Sequence, residues 1–136
     1  MTVSGAIINW LKSFDANEAG KILHIDTELM HGNVDYALVK EPVRNVKESV
    51  LGDKTITDHY TLQARLPNAT NADSVDNNEF MEVLERWVEK CDAERNYPEI
   101  PDGTATSIGI STPFFVGMNG QDYSIYQMTI SVVYEK

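Results

Sequence analysis

The sequence predicts an α+β protein: a mostly antiparallel sheet of about four strands with two helices packed on one face. Three observations carry this expectation. Two segments space their apolar residues at helical intervals, three runs alternate apolar and polar residues, and an Asn-Gly pair joins the last two of those runs. Each helix then offers one apolar stripe and each long strand one apolar face, and the simplest packing lays both stripes on that face. The opposite sheet face is left largely to Thr, Ser, Gln and His.

Taken in chain order, the first helix is expected from about Val3 to Phe14. Val3, Ala6, Ile7, Trp10, Leu11 and Phe14 recur there at helical spacing. Asp15-Ala16-Asn17 breaks the pattern. Lys21 to Met30 reads two ways, as a short strand followed by a turn at Gly32-Asn33 or as a second short helix. Tyr36 to Lys40 is an apolar run ended by Pro42, which suits an edge strand or a strand before a bend. Arg44 to Val50 continues as a strand, and Leu51 to Lys54 is a turn. The next strand alternates most clearly. Ile56, Tyr60, Leu62, Ala64 and Leu66 share one side with Asp58 as the exception; Thr55, Thr57, His59, Thr61, Gln63 and Arg65 share the other.

Pro67 to Asn78 is expected as a polar linker. Asp76 and Glu79 have the spacing of a capping box, which starts the second helix at Asp76 and carries it to about Glu94. Phe80, Val83, Leu84, Trp87, Val88 and Cys91 form its stripe; Tyr97, Pro98 and Pro101 stop it. Thr106–Val116 and Tyr123–Glu135 form a hairpin about Asn119-Gly120. Ile108 and Ile110 lie on one side of its first strand, with Ser107, Gly109 and Ser111 on the other. Tyr126, Met128, Ile130, Val132 and Tyr134 make the apolar face of the second. Ile125 and Val133 interrupt the polar side, which indicates that something covers part of it.

With 136 residues the chain fits one domain, 1–136, large enough for a hydrophobic core. A content of 42% hydrophobic and 9% aromatic residues belongs to folded rather than disordered chains. Twenty-one acidic and 11 basic residues give a formal charge of −10, a field that repels phosphate backbones and argues against sequence-specific nucleic-acid binding. One cysteine, Cys91, excludes an internal disulfide framework. No apolar run is long enough to span a membrane. Lys12, Asp15 and Glu18 follow Gly5-Ala6-Ile7-Ile8 too soon for a signal peptide, so an intracellular origin is expected.

No catalytic residue, cofactor site or metal site is assigned. His24 and Asp26 with His31 lack a third close ligand at a familiar spacing. His59 sits on a polar strand face and reads as a surface residue. Cys91 lies in a buried stripe, whereas a nucleophilic thiol needs exposure and a positive neighbour. Glu79, Glu82, Glu85 and Glu89 read as one solvated helix face rather than as paired carboxylates across a cleft. Gly103, Gly109, Gly117 and Gly120 lack the strand-glycine-helix context of a phosphate site, and Ser107 and Ser111 lack a nucleophile elbow. Lys40, Arg44, Lys47 and Lys54 form the one locally basic region, diluted by Glu41, Glu48 and Asp53. What remains is interface: sheet edges that must be covered or blunted, and loops at 15–20, 67–78 and 97–104 placed to make contacts.

The order of parts resembles the small phage tail-terminator and minor capsid proteins of the head–tail junction, including those of phage-tail-like bacteriocins. The likeness runs through Ile7-Ile8-Asn9-Trp10-Leu11, Tyr36-Ala37-Leu38-Val39-Lys40-Glu41-Pro42, the Gly52-Asp53 turn, Tyr60-Thr61-Leu62-Gln63-Ala64-Arg65, the Trp87 helix and Tyr126-Gln127-Met128-Thr129-Ile130-Ser131-Val132. It spans nearly the whole chain, Ala16 to Asn33 excepted. It implies a non-enzymatic virion protein at the head-proximal end of the tail, assembled in the bacterial cytoplasm. Such a protein self-associates into a ring, commonly a hexamer. The ring caps the tail tube, stops its polymerisation and presents the surface that the head or neck joins. Implied partners are tail-tube proteins, sheath proteins where the tail is contractile, and head–tail connector proteins. Six copies would carry a formal charge of about −60, and an acidic lumen would pass DNA by like-charge repulsion. Three other readings compete: a head–tail connector or tail-completion protein of similar fold, an acidic cytoplasmic regulatory module, and a small enzyme whose cleft would bring His24, Asp26 and His59 together.

Overall fold

The computed structural model describes residues 2–13, 25–27, 35–67, 71–120 and 123–136. Helix α1 (Val3–Lys12) comes first, then strands β1 (Ile25–Thr27), β2 (Asp35–Glu48) and β3 (Lys54–Pro67), helix α2 (Asn71–Ala93), and strands β4 (Thr104–Asn119) and β5 (Tyr123–Glu135). The strands form one sheet in the order β1-β2-β3-β5-β4. The four long strands pair antiparallel throughout, and both helices pack on the sheet, so the expected α+β architecture holds. The short β1 is an addition, parallel to β2 from Ile25 opposite Tyr36 to Thr27 opposite Leu38. It answers one part of the open reading of Lys21–Met30; the expected turn at Gly32-Asn33 and Phe14 lie outside the described residues.

Register explains why one face is dry. Ile56, Tyr60, Leu62 and Ala64 of β3 stand opposite Tyr134, Ile130, Met128 and Tyr126 of β5, so the apolar rows coincide. All eight are buried. Onto them α1 sets Ile7, Trp10 and Leu11, while α2 sets Phe80, Met81, Leu84, Val88 and Cys91. Helix α1 lies against β2, and α2 lies mainly against β4. The helices meet through Trp10 and Trp87, whose ring centroids are 4.6 Å apart. Burying one such leucine side chain stabilises the fold by roughly 1.5–3 kcal/mol.

Local chemistry sets the helix ends. Thr2 caps α1, its Oγ1 accepting the Gly5 N–H at 3.0 Å. Helix α2 begins at Asn71, five residues before the expected start at Asp76, and most of the expected Pro67–Asn78 linker is helix. A capping-box spacing is only a local option, and hydrogen bonding along the chain can extend a helix beyond it. At the other end, the Asn96 N–H bonds to the Cys91 carbonyl and the Arg95 N–H to the Asp92 carbonyl, at 2.8 and 3.2 Å. This is a Schellman closure, and it places Arg95 at φ 58°.

Two strands depart from simple alternation. The expected segments Tyr36–Lys40 and Arg44–Val50 are one strand, β2, interrupted by a bulge. Lys40 opposes Tyr60, yet Arg44 opposes Asp58, so two extra residues are taken up around Pro42. Strand β4 follows the expected pattern as far as Ile110, but it shifts register against β5 at four places. Its 16 residues face the 13 of β5, and bulges absorb the excess.

A residue with a β-carbon is strained in the left-handed conformation of Arg95. Arg95→Gly is expected to raise stability by about 0.5–1 kcal/mol in urea unfolding, with no change in the denaturant slope.

Candidate interaction surface

Asp58 is the one acidic side chain in the apolar row of β3, and it is fully buried. Arg44 holds it with two parallel bonds, Nε to Oδ1 at 2.7 Å and Nη2 to Oδ2 at 2.8 Å. The Tyr134 hydroxyl donates to Oδ2 at 2.8 Å from a diagonal position on β5. Burial alone would raise the Asp58 pKa; the bonds from Arg44 and Tyr134 and the charges of Arg44 and Lys40 outweigh it and hold the group below its ordinary 3.8. Burial and the neighbouring carboxylate push Tyr134 up to about 12. Arg44, one of the four cations of the locally basic region, is the partner of this carboxylate, although its side chain remains 42% exposed. The cluster is structural: its donors and acceptors are committed to each other.

The outer sheet face carries the hydroxyl-rich row expected of it. Thr61 bonds to Glu41 and lies 3.2 Å from the Thr129 hydroxyl. His59 Nδ1 is 2.7 Å from Ser131 Oγ, a partner that a free surface imidazole would lack. Asp26 and His59 are not brought together. Asp26 is level with Ala37 and hence with Gln63, two strands over and four residues along from His59, on the order of 16 Å. His24 and His31 lie outside the described residues. Among the described residues, no group of three His, Cys, Asp or Glu side chains is placed to hold a metal ion, and no helix is long and apolar enough to cross a membrane. Cys91 is buried, which raises its thiol pKa, and Asn96 Nδ2 sits 3.6 Å from its sulfur. A cleft of about 220 Å³ opens between Trp10 and Tyr97, and the Trp10 indole at its wall is already bonded to the Asn96 carbonyl at 2.8 Å.

The sheet edges hold what the sequence reading missed. Glu85 is not part of a solvated face: it is half-buried and accepts the Phe114 N–H at 2.6 Å. Two helical turns further on, Asp92 accepts the Ile108 N–H at 3.1 Å and the Tyr97 hydroxyl at 3.0 Å. Both carboxylates therefore reach from α2 to backbone donors of the edge strand β4. A seven-residue spacing on one helix was the available signal, since it repeats the same face. Glu79, Glu82 and Glu89 are exposed, as expected.

Among the described residues, large apolar side chains left in solvent gather at two places. One is β2 and its turn into β3, with Val43, Val46, Val50 and Leu51; the other is the end of β4, with Phe115, Val116 and Met118.

Removing Arg44 leaves a buried carboxylate without its cation, so Arg44→Met is expected to cost about 3 kcal/mol, and Arg44→Met/Asp58→Asn to recover part of it in a double-mutant cycle. Because the folded Asp58 pKa is depressed, its contribution is present above pH 3.8 and lost as pH falls through the lower folded value. Tyr134 has the opposite sign: its contribution is present below pH 10 and lost as pH rises toward about 12. Urea midpoints measured across pH should fall at both ends, and Tyr134→Phe should shrink but not abolish the alkaline component, to which the buried Tyr36 and Tyr60, also raised by burial, contribute with the same sign. Glu85→Ala and Asp92→Ala should each speed amide exchange at Phe114 and Ile108 respectively by about tenfold, the worth of one charge-assisted bond. Compared with protein-family models and with curated proteins, the chain matches none.

Proposed function

We propose that this protein is a non-enzymatic assembly component of the phage tail-terminator type, acting as a ring that caps the tail tube and stops its growth. One observation carries the reading: among the described residues, the large exposed apolar side chains lie on the second half of β2, its turn into β3 and the last part of β4 rather than in a reaction cleft. Isolated exposed apolar residues are ordinary, but groups of three and four on protruding elements mark contact surfaces. The resemblance in the order of parts supplies the kind of assembly. A rigid sheet with one face sealed by helices suits a protomer that must keep its shape under load, and the acidic charge of −10 suits a lumen that lets DNA pass.

The test is tube polymerisation. Purified tail-tube protein from the genome that encodes this chain is allowed to elongate with and without it, and the products are imaged by electron microscopy. Shorter tubes with a ring of density at one end are expected. Unchanged tube lengths with bare ends would sink the reading.

A further inference from the structure

The first turn of α1 leaves donors and positive charge that its own sequence does not use. Thr2 Oγ1 accepts the Gly5 N–H at 3.0 Å, and the Thr2 carbonyl accepts the Ala6 N–H at 3.0 Å. The N–H groups of Val3 and Ser4 come before any acceptor within the helix. They sit at the positive end of the helix dipole, where a carboxylate is favoured. Yet that turn holds no acidic residue, in a chain that has 21 of them.

A second observation lies beneath that turn. Tyr60 is 1% exposed, and its hydroxyl meets no partner at hydrogen-bond geometry. Burial raises its pKa, while the Ser4 side chain and the Arg44 charge act the other way, which places both beside this hydroxyl. Ser4 is half-buried and Tyr60 buried, so the Ser4 hydroxyl lies on the solvent side. Lys40 stands opposite Tyr60 in the β2–β3 register, hence on the same sheet face, and is exposed. Its charge reaches as far as Asp58. Arg44 and Asp58 cancel one another, and Glu41 is turned to Thr61 on the outer face. Lys40 and the helix end therefore leave this place positive.

We propose that the N-terminal turn of α1 is a phosphate site, formed by the Val3 and Ser4 N–H groups, the Ser4 hydroxyl and the Lys40 ammonium. Ser4 donates its proton to the anion and accepts the proton of Tyr60, which gives the buried hydroxyl its partner. Backbone N–H groups at a helix start are suited to an oxyanion. This donor set fits a group with three or more free oxygens. A carboxylate offers two, and so does each phosphate of a nucleic-acid backbone. The ligand is therefore inorganic phosphate or a terminal phosphate monoester. Bound there, it ties α1 to the edge strand β2 and stabilises the folded state. The site does not depend on the tail reading.

The test follows backbone amide shifts of the full, nitrogen-labelled chain by NMR at neutral pH and constant ionic strength. Inorganic phosphate, glycerol phosphate and dimethyl phosphate are titrated in turn, with sodium chloride as the control. Saturable shifts of the Val3 and Ser4 amides are expected with inorganic phosphate, with glycerol phosphate or with both, and whichever saturates is the source. Dimethyl phosphate and chloride should give none. Lys40→Gln is expected to weaken binding about threefold, the worth of one exposed charge contact. Ser4→Asp supplies the missing carboxylate, so it should abolish the response and raise the urea midpoint measured without phosphate. Lys40 is exposed, so its variant keeps the test open if Ser4→Asp does not fold. Shifts that never saturate, shifts that chloride or dimethyl phosphate reproduces, or affinity unchanged by Lys40→Gln overturn the site.

Discussion

The structure turns on a carboxylate placed where the fold wants a hydrocarbon. Asp58 stands in the row of β3 that both helices cover, between Ile56 and Tyr60. A buried charge in that position costs several kcal/mol unless it is paired and its remaining lone pairs are bonded. Arg44 and Tyr134 do both. The pairing depends on the β2 bulge. Had the register of Lys40 with Tyr60 continued, Asp58 would face Pro42, which offers neither charge nor N–H. Two extra residues slide Arg44 into place. Pro42 then sits within the irregular stretch, where the missing donor costs least. The cluster thereby ties three strands together and fixes their relative register.

A second constraint is the open edge of β4. A strand of 16 residues at the side of a sheet presents a row of unpaired backbone groups, which invites uncontrolled pairing. Two devices limit it here. Four register shifts break the regular hydrogen-bond ladder, and α2 spends two carboxylates, Glu85 and Asp92, on edge donors. On the opposite side the short β1 covers Tyr36 to Leu38, and the rest of β2 carries Pro42, its bulge and the exposed Lys40 and Lys47. Both edges are thus blunted along part of their length.

Among the described residues, several reactive side chains are committed to the fold. Cys91 fills the core with its thiol pKa raised by burial. His59 is engaged by Ser131, and the Trp10 indole by the Asn96 carbonyl. Each contact closes a donor or acceptor that a substrate would otherwise meet. The same economy leaves the hydroxyl-rich outer face flat and internally bonded through Glu41, Thr61 and Thr129.

The sequence by itself determined the layers. Period-two alternation in β3 and β5 and helical spacing in α1 and α2 decide which side of each element is dry, because a wrong side would expose a whole row of apolar groups. Asn119-Gly120 likewise marked where the last hairpin reverses. What only the tertiary structure decided were the properties that depend on two distant residues meeting. Asp58 was visible as an exception to its row, but its partner lay across a bulge whose size no local pattern specifies. Glu85 read as a solvated helix charge until β4 was placed beneath it. The start of α2 followed hydrogen bonding along the chain rather than the capping signal at Asp76. Side-chain periodicity records burial, which acts on each residue separately; register, pairing and edge protection are relations between strands, and they are set only when the strands pack.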